Sequence, residues 1–203
     1  MKLHLGCGPR YLPGYMHIDI SNYKHIDIQT DIRNLNQIKD NTVDDIYASH
    51  VLEHFKRYEI LDILKEWNRV LKPGGTIHIS VPDFSACASQ YKQKKYLPEL
   101  IGLVCGGQKD SYDFHNMIFD KELLTNFLVE VGFENVKEYD HKEYLPEGYD
   151  DWSRCYLPHM DFENGRQMSL NLVAIKKKYV VALTESPDIL YAMGIKRNYQ
   201  KKN

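Results

Sequence analysis

Three histidines stand where a proton-abstracting base can be assembled: His50 and His54, four residues apart in HVLEH, and His115 in the aromatic stretch DFHNMIFD. Imidazole titrates near neutral pH, so each can take a proton from a hydroxyl or an ammonium group. If HVLEH is helical, His50 and His54 share a face and Glu53 points elsewhere. A His-x-x-x-His pair also suits a metal ion, yet the glutamate is not where HExxH places it, so no metal site is expected. The plainer readings are a surface or packing role for His54 and a structural capping role for His115.

A second group of residues could hold a ligand. The stretch LHLGCGPRYLPGYMHID, Leu3 to Asp19, sets Gly6-Cys7-Gly8 between two short apolar runs, where a chain must turn sharply and bring bare backbone against something else. Only ten residues separate Gly8 from Asp19, and Pro9, Pro13 and Gly14 are among them. No long helix fits there, which counts against a pyrophosphate seated on a helix N-terminus. An adenosine ligand without a pyrophosphate asks less. Asp19, ending the second apolar run, suits two vicinal ribose hydroxyls; Asp31, ending the third, suits an adenine amino group, and the Ile32 N–H a ring nitrogen. Taken singly, these residues read as turn glycines, a strand-end aspartate and a helix cap.

The elements that must position these groups alternate between strand-like and helix-like runs, the pattern of an α/β domain with a mainly parallel sheet. Strands are expected over Lys2–Leu5, Met16–Ile20, Ile26–Thr30 and Asp45–Ser49, each ending in polar residues at one edge. Ile60, Leu61, Leu64, Trp67 and Leu71 recur at helical spacing, so Tyr58–Leu71 should cover the sheet and stop at Lys72-Pro73-Gly74-Gly75. A buried strand follows over Thr76–Val81. Asp120 is a plausible N-cap for a helix ending at Gly132, after which strands begin at Phe133 and run from Ser169 to Lys176. Ser186-Pro187-Asp188 and Gly194 frame a short terminal helix. The stretch from Phe84 to Phe119 is the least readable, and the loop holding Tyr144, Tyr149, Trp152, Tyr156 and His159 is either core edge or an acceptor pocket.

Bulk properties set bounds. A chain of 203 residues, 43% hydrophobic and 27% charged, is ordinary for a globular domain. No apolar run approaches the roughly 18 residues of a membrane span, and Met1-Lys2-Leu3 leads into a strand, so a cytoplasmic location is expected. Cys7, Cys87, Cys105 and Cys155 form no CxxC pair and read as reduced thiols. The net charge of −2 argues against a dedicated nucleic-acid binder. From Lys176 onward seven basic residues face two acidic ones, a solvated tail or a site for an anionic partner.

In order, LHLGCGPR, HIDI, TDIRNL, DDIYASHVLEHF, EWNRVLKPGGTIHISVPD and LVEVGFENV resemble the motif set of class I S-adenosylmethionine-dependent methyltransferases, over residues 2 to 83 and 115 to 138. The similarity is greatest to the small subgroup with LGCG-P and a shortened first helix, akin to methyltransferase type 11. It implies a Rossmann-like, seven-stranded, mainly parallel sheet whose last strand, Ser169–Lys176, is antiparallel. One domain over residues 1–178 is expected, with 84–119 and 140–168 as lid or substrate insertions, then a C-terminal extension over 179–203. The resemblance implies S-adenosylmethionine as cofactor, contacted by the loop Gly6-Cys7-Gly8, Asp19, Asp31 and Ile32, with Ser49 and His50 beside its methionine part. His115 would face the acceptor as base or contact, with His54 as the other candidate base. Three departures stand out: His4 replaces an acidic loop anchor, Arg10 replaces the third glycine, where it could meet the cofactor carboxylate, and the short insert before Asp19 leaves the cofactor pocket more open on that side.

The expected function is methyl transfer to an oxygen or nitrogen of a small molecule, a sugar or glycan precursor by analogy with the subgroup. A non-catalytic S-adenosylmethionine- or S-adenosylhomocysteine-binding partner or sensor is the alternative, and a nicotinamide dehydrogenase a third, disfavoured by the short insert before Asp19. The acceptor and the oligomeric state are not legible in the chain.

Overall fold

A computed structural model describes residues 1–178 and 187–194. In chain order it contains β1 (Lys2–Leu5), β2 (Met16–Asp19), β3 (Ile28–Gln29), β4 (Val43–Ser49), α1 (Ile60–Val70), β5 (Leu71–Pro82), α2 (Phe84–Lys94), α3 (Ile101–Cys105), α4 (Lys121–Glu130), β6 (Phe133–Glu138), α5 (His141–Tyr144), β7 (Tyr156–Leu157), β8 (Arg166–Gln167), β9 (Ser169–Lys176) and α6 (Pro187–Ala192). Seven strands form one sheet in the order β3-β2-β1-β4-β5-β9-β6. The first five are parallel to one another, and β9 runs antiparallel between β5 and β6. β7 and β8 pair as a separate ribbon.

The alternation of side chains along a strand sends each central strand to two different environments. Ile46 and Ala48 of β4, Ile77, Ile79 and Val81 of β5, and Leu170, Leu172 and Ala174 of β9 enter one large apolar core with Ile60, Leu64 and Trp67 of α1 and Leu124, Phe127 and Leu128 of α4. The Trp67 indole donates to the Ile32 carbonyl at 3.0 Å, which ties α1 to the segment after β3. The opposite face is a tyrosine-rich layer. Tyr15 and Tyr144 donate to the buried Asp45 carboxylate at 2.5 and 2.8 Å, Tyr47 donates to Asp151 at 2.5 Å, and the Tyr139 and Ser80 hydroxyls pair at 2.7 Å. Leu12, Tyr47 and Leu145 are the buried apolar centre of that layer.

The helix α1 is shorter at both ends than its apolar spacing predicts. It stops at Val70 because Leu71 turns extended, at ψ 142°, two residues before Pro73. The antiparallel strand from Ser169 to Lys176 has the expected bounds, and Asp120 caps α4 through its side chain, accepting from the Leu123 N–H at 2.8 Å. HVLEH differs from the expectation: Leu52–His54 is a single 3-10 turn, and His50 sits at φ +52°, so His50 and His54 share no α-helical face. The unreadable stretch after Phe84 holds α2 and α3. In the C-terminal extension α6 is present and Gly194 has φ +74°, while Ser186, Glu185 and the basic residues Lys196, Arg197, Lys201 and Lys202 lie outside the described residues.

Candidate functional site

The C-terminal ends of the parallel strands gather the predicted ligand-binding residues. Leaving β1, the chain takes positive φ at Gly6 (+61°) and Gly8 (+52°). A β-carbon at Gly6 would run into the Val51 side chain, so this turn needs glycine for space as well as conformation. The Gly6 N–H donates to the Ile18 carbonyl at 2.8 Å, and the Gly8 N–H donates to Asp19 Oδ2, also at 2.8 Å. The other oxygen of Asp19 accepts from the Ser21 N–H at 2.7 Å. Asp19 is therefore the anchor of its own loop, and it lines a cavity of about 400 Å³.

That cavity is lined by Gly6, Gly8, Asp19, Asp31, Ile32, His50 and His54 among the predicted residues. The Asp31 carboxylate is gripped by Arg33, whose Nε lies 2.9 Å and Nη2 2.5 Å from Oδ2. This contact holds Asp31 below the usual carboxylate range, and it keeps an acceptor edge charged at the cavity wall. Arg33 also donates to Glu59 at 2.8 Å, and both residues line the cavity.

Three predicted residues are not on this wall. The Cys7 thiol is buried beneath the loop, 4.0 Å from His25 Nε2, and burial together with the Asp19 charge pushes its pKa up to about 12. Arg10 points outward, with Nη2 3.9 Å from Asp150 Oδ2. The Ser49 hydroxyl is buried without a hydrogen-bond partner among the described residues, next to His50 in sequence. His4, the departure at the acidic-anchor position, is buried against His17 and Tyr47, and burial with the nearby histidines lowers its pKa to about 3.

A second cavity of about 360 Å³ adjoins the first and shares His50 and His54 with it. His115 lines this second space with Trp152, Tyr156, Glu99, Asp113 and His159. The residue that sequence spacing sent elsewhere, Glu53, is fully buried here and central. His50 Nδ1 lies 3.3 Å and His115 Nε2 3.9 Å from Glu53 Oε1. The 3-10 turn and the Asn116 and Met117 N–H groups, which donate to the Glu53 carbonyl at 2.8 and 3.1 Å, bring this cluster together. Burial alone would raise the Glu53 pKa; the close approach of His50, with His54 and His115 nearby, outweighs it and holds the group below the usual carboxylate range. Burial also lowers the His115 pKa, against the opposing pull of Glu53. His50 is held in its left-handed backbone conformation with its N–H donating to the Ser80 carbonyl at 2.8 Å.

Residues 3–79 match the model of a methyltransferase domain. A demethylmenaquinone methyltransferase of Staphylococcus saprophyticus is 34% identical over 109 residues, 49% of this chain and 45% of that protein. The chain thus spans a little under half the length of that curated relative. Among solved structures, an S-adenosylmethionine-dependent methyltransferase from Thermotoga maritima, described as a possible histamine N-methyltransferase, superposes with TM-score 0.52 at 17% identity, covering 87% of this chain and 82% of that one. Another, from Archaeoglobus fulgidus, gives TM-score 0.53 at 17% identity, covering 86% and 85%. Residues 3–79 thus match a methyltransferase domain, and the described chain shares the fold of these S-adenosylmethionine-dependent methyltransferases.

Proposed function

We propose that the chain transfers the methyl group of S-adenosylmethionine to an oxygen or nitrogen of a small molecule, with sugars and glycan precursors as the acceptor class to test first. The observation that carries this reading is the pair of adjoining cavities meeting at His50 and His54. The first offers what the cofactor asks for: glycine backbone at Gly6 and Gly8, a carboxylate at Asp19 for ribose hydroxyls, and Asp31 with the Ile32 N–H for an adenine edge. Gly8 has no atom within 4 Å of where a β-carbon would stand, which leaves room for a ligand against the loop. The second cavity presents the rings of Trp152 and Tyr156 beside the carboxylates Glu99 and Asp113, a lining that suits a polyhydroxylated acceptor.

When bound, the cofactor supplies a sulfonium methyl with its own good leaving group, so the protein's part is alignment and proton management. His54 borders both cavities and His115 the second, and either imidazole can take the proton of an acceptor hydroxyl or ammonium. His50 serves as a wall between the methionine end and the acceptor. Cys7, Arg10 and Ser49 act from behind the cofactor loop rather than by contact. We infer one domain over residues 1–178, with 84–119 and 140–168 building the acceptor side. The slight net negative charge favours a small-molecule acceptor over nucleic acid. No described helix is long and apolar enough to cross a membrane, and a cytoplasmic location is supported by four cysteines that form no disulfide.

A methyl-radiolabel screen over sugars, nucleotide-sugars, amines, phenols and quinones tests the proposal. Label is expected in a hydroxylated or amino acceptor. Cofactor binding with no label in any acceptor would instead favour a non-catalytic binding domain.

A further inference from the structure

We infer that Glu53, His54 and His115 form a binding site for a divalent transition-metal ion of the zinc class, set in the wall between the two cavities. One ligand atom from each of the three residues lies within 4.8 Å of the others. Two imidazoles and a carboxylate leave further coordination positions open, the donor set of sites that bind a ligand molecule as well as the metal.

The hydrogen bonds around the cluster point the same way. His115 Nδ1 lies 3.0 Å from the Leu103 carbonyl, and His54 Nδ1 lies 3.2 Å from the Phe114 carbonyl. A carbonyl only accepts, so in each ring a hydrogen sits on Nδ1, and the neutral ring then offers its Nε2 lone pair. Backbone carbonyls holding the far ring nitrogen are the usual outer support of metal-bound histidines. Glu53 is fully buried, and neither of its carboxylate oxygens has a hydrogen-bond partner among the described residues. Among the described residues, the ring nitrogens that approach it are His50 Nδ1 at 3.3 Å and His115 Nε2 at 3.9 Å. A buried carboxylate without donors is costly, and here its oxygen faces the lone pair of a neutral imidazole. Two acceptors turned toward each other at that separation favour a cation between them. A direct Glu53–His115 proton relay would require a hydrogen bond that 3.9 Å does not allow.

His50 completes the arrangement as a positioning residue, since its Nε2 is 2.9 Å from the Ser169 hydroxyl while Nδ1 approaches Glu53. The ion's place in methyl transfer rests on the reading proposed above. There the ion, occupying the Nε2 lone pairs, would take the place of the free imidazoles in proton removal, holding an acceptor hydroxyl at the junction of the cavities and easing loss of its proton to water. Metal binding itself does not depend on that reading.

The test uses the whole chain, stripped with a chelator and titrated with Zn²⁺ by calorimetry and with Co²⁺ by visible absorption. One ion per chain is expected, with Co²⁺ absorption typical of a site of low coordination number. Glu53→Gln, His115→Gln and the less buried His54→Gln should each weaken binding by about tenfold or more. Calorimetry with S-adenosylhomocysteine on the same variants checks that the fold and the first cavity persist. No ion bound by the native chain, or unchanged binding in folded His54→Gln and His115→Gln, overturns the site. S-adenosylhomocysteine binding without metal binding would leave the methyltransferase reading intact and remove this one; metal binding without S-adenosylhomocysteine binding would do the reverse.

Discussion

The Gly8 N–H donates to Asp19 Oδ2 at 2.8 Å, so the turn that opens the first cavity and the carboxylate that lines it form one unit. Asp19→Asn keeps the shape but replaces one accepting oxygen with an amide that cannot accept from both the loop and a ribose. S-adenosylhomocysteine affinity, measured by calorimetry, is expected to fall about ten- to a hundredfold, the scale of a lost charge-assisted hydrogen bond. Unchanged affinity would remove Asp19 from the ligand contacts.

Gly6 combines positive φ with a β-carbon position occupied by Val51. Gly6→Ala should destabilise the chain by about 1–3 kcal/mol, from backbone strain and overpacking together. Thermal unfolding of the double variant Gly6→Ala/Val51→Ala separates the two causes: relief of the clash should recover part of the loss, and the strain of the left-handed conformation should remain.

His4 gives the fold an acid limit. Its folded-state pKa of about 3 lies below the unfolded value of 6.5, so below 6.5 the unfolded chain binds a proton that the folded chain refuses. Stability from this group is therefore whole above pH 6.5 and is lost as pH falls toward 3, by up to about 3 kcal/mol between roughly pH 7 and 4. The partner His17, whose pKa is also lowered, chiefly by burial, adds in the same sense. Denaturant unfolding of His4→Phe should show a shallower fall over that range than the native chain; equal slopes would contradict the assignment.

His54→Gln and His115→Gln address the proton-accepting role. With a hydroxyl acceptor, kcat is expected to fall about a hundredfold or more in at least one of them while S-adenosylhomocysteine affinity stays level. Full turnover in both would mean that neither histidine manages a proton and that alignment alone drives the reaction.

Much of this was legible in the chain because it is written locally. The glycine after Lys2–Leu5 and the polar residues closing Met16–Asp19 and Val43–Ser49 announce strand ends, and parallel strands place such ends at one edge. Asp120 and Gly132 bracket α4 by their own backbone chemistry. Glu53 was not legible. Helical spacing turns it away from His50 and His54, whereas a 3-10 turn and two N–H donors from residues 116 and 117 bury it among them. Arg33 was equally hidden, since a guanidinium two residues past Asp31 gives no sign in sequence that it will fold back onto that carboxylate. Arg10 differs in another way: its place in the motif implies a cofactor contact, while its guanidinium lies 3.9 Å from Asp150. The tyrosine layer around Asp45 and Asp151 depends on pairings across about a hundred residues, which no local pattern records.

The central claim is that the glycine loop, Asp19 and Asp31 form a cavity for S-adenosylmethionine and not for a dinucleotide. Calorimetry of the full chain with S-adenosylmethionine, S-adenosylhomocysteine and NAD tests it most directly. Saturable binding of the first two with none of the third is the predicted result; binding of NAD alone, or of none of the three, would contradict it.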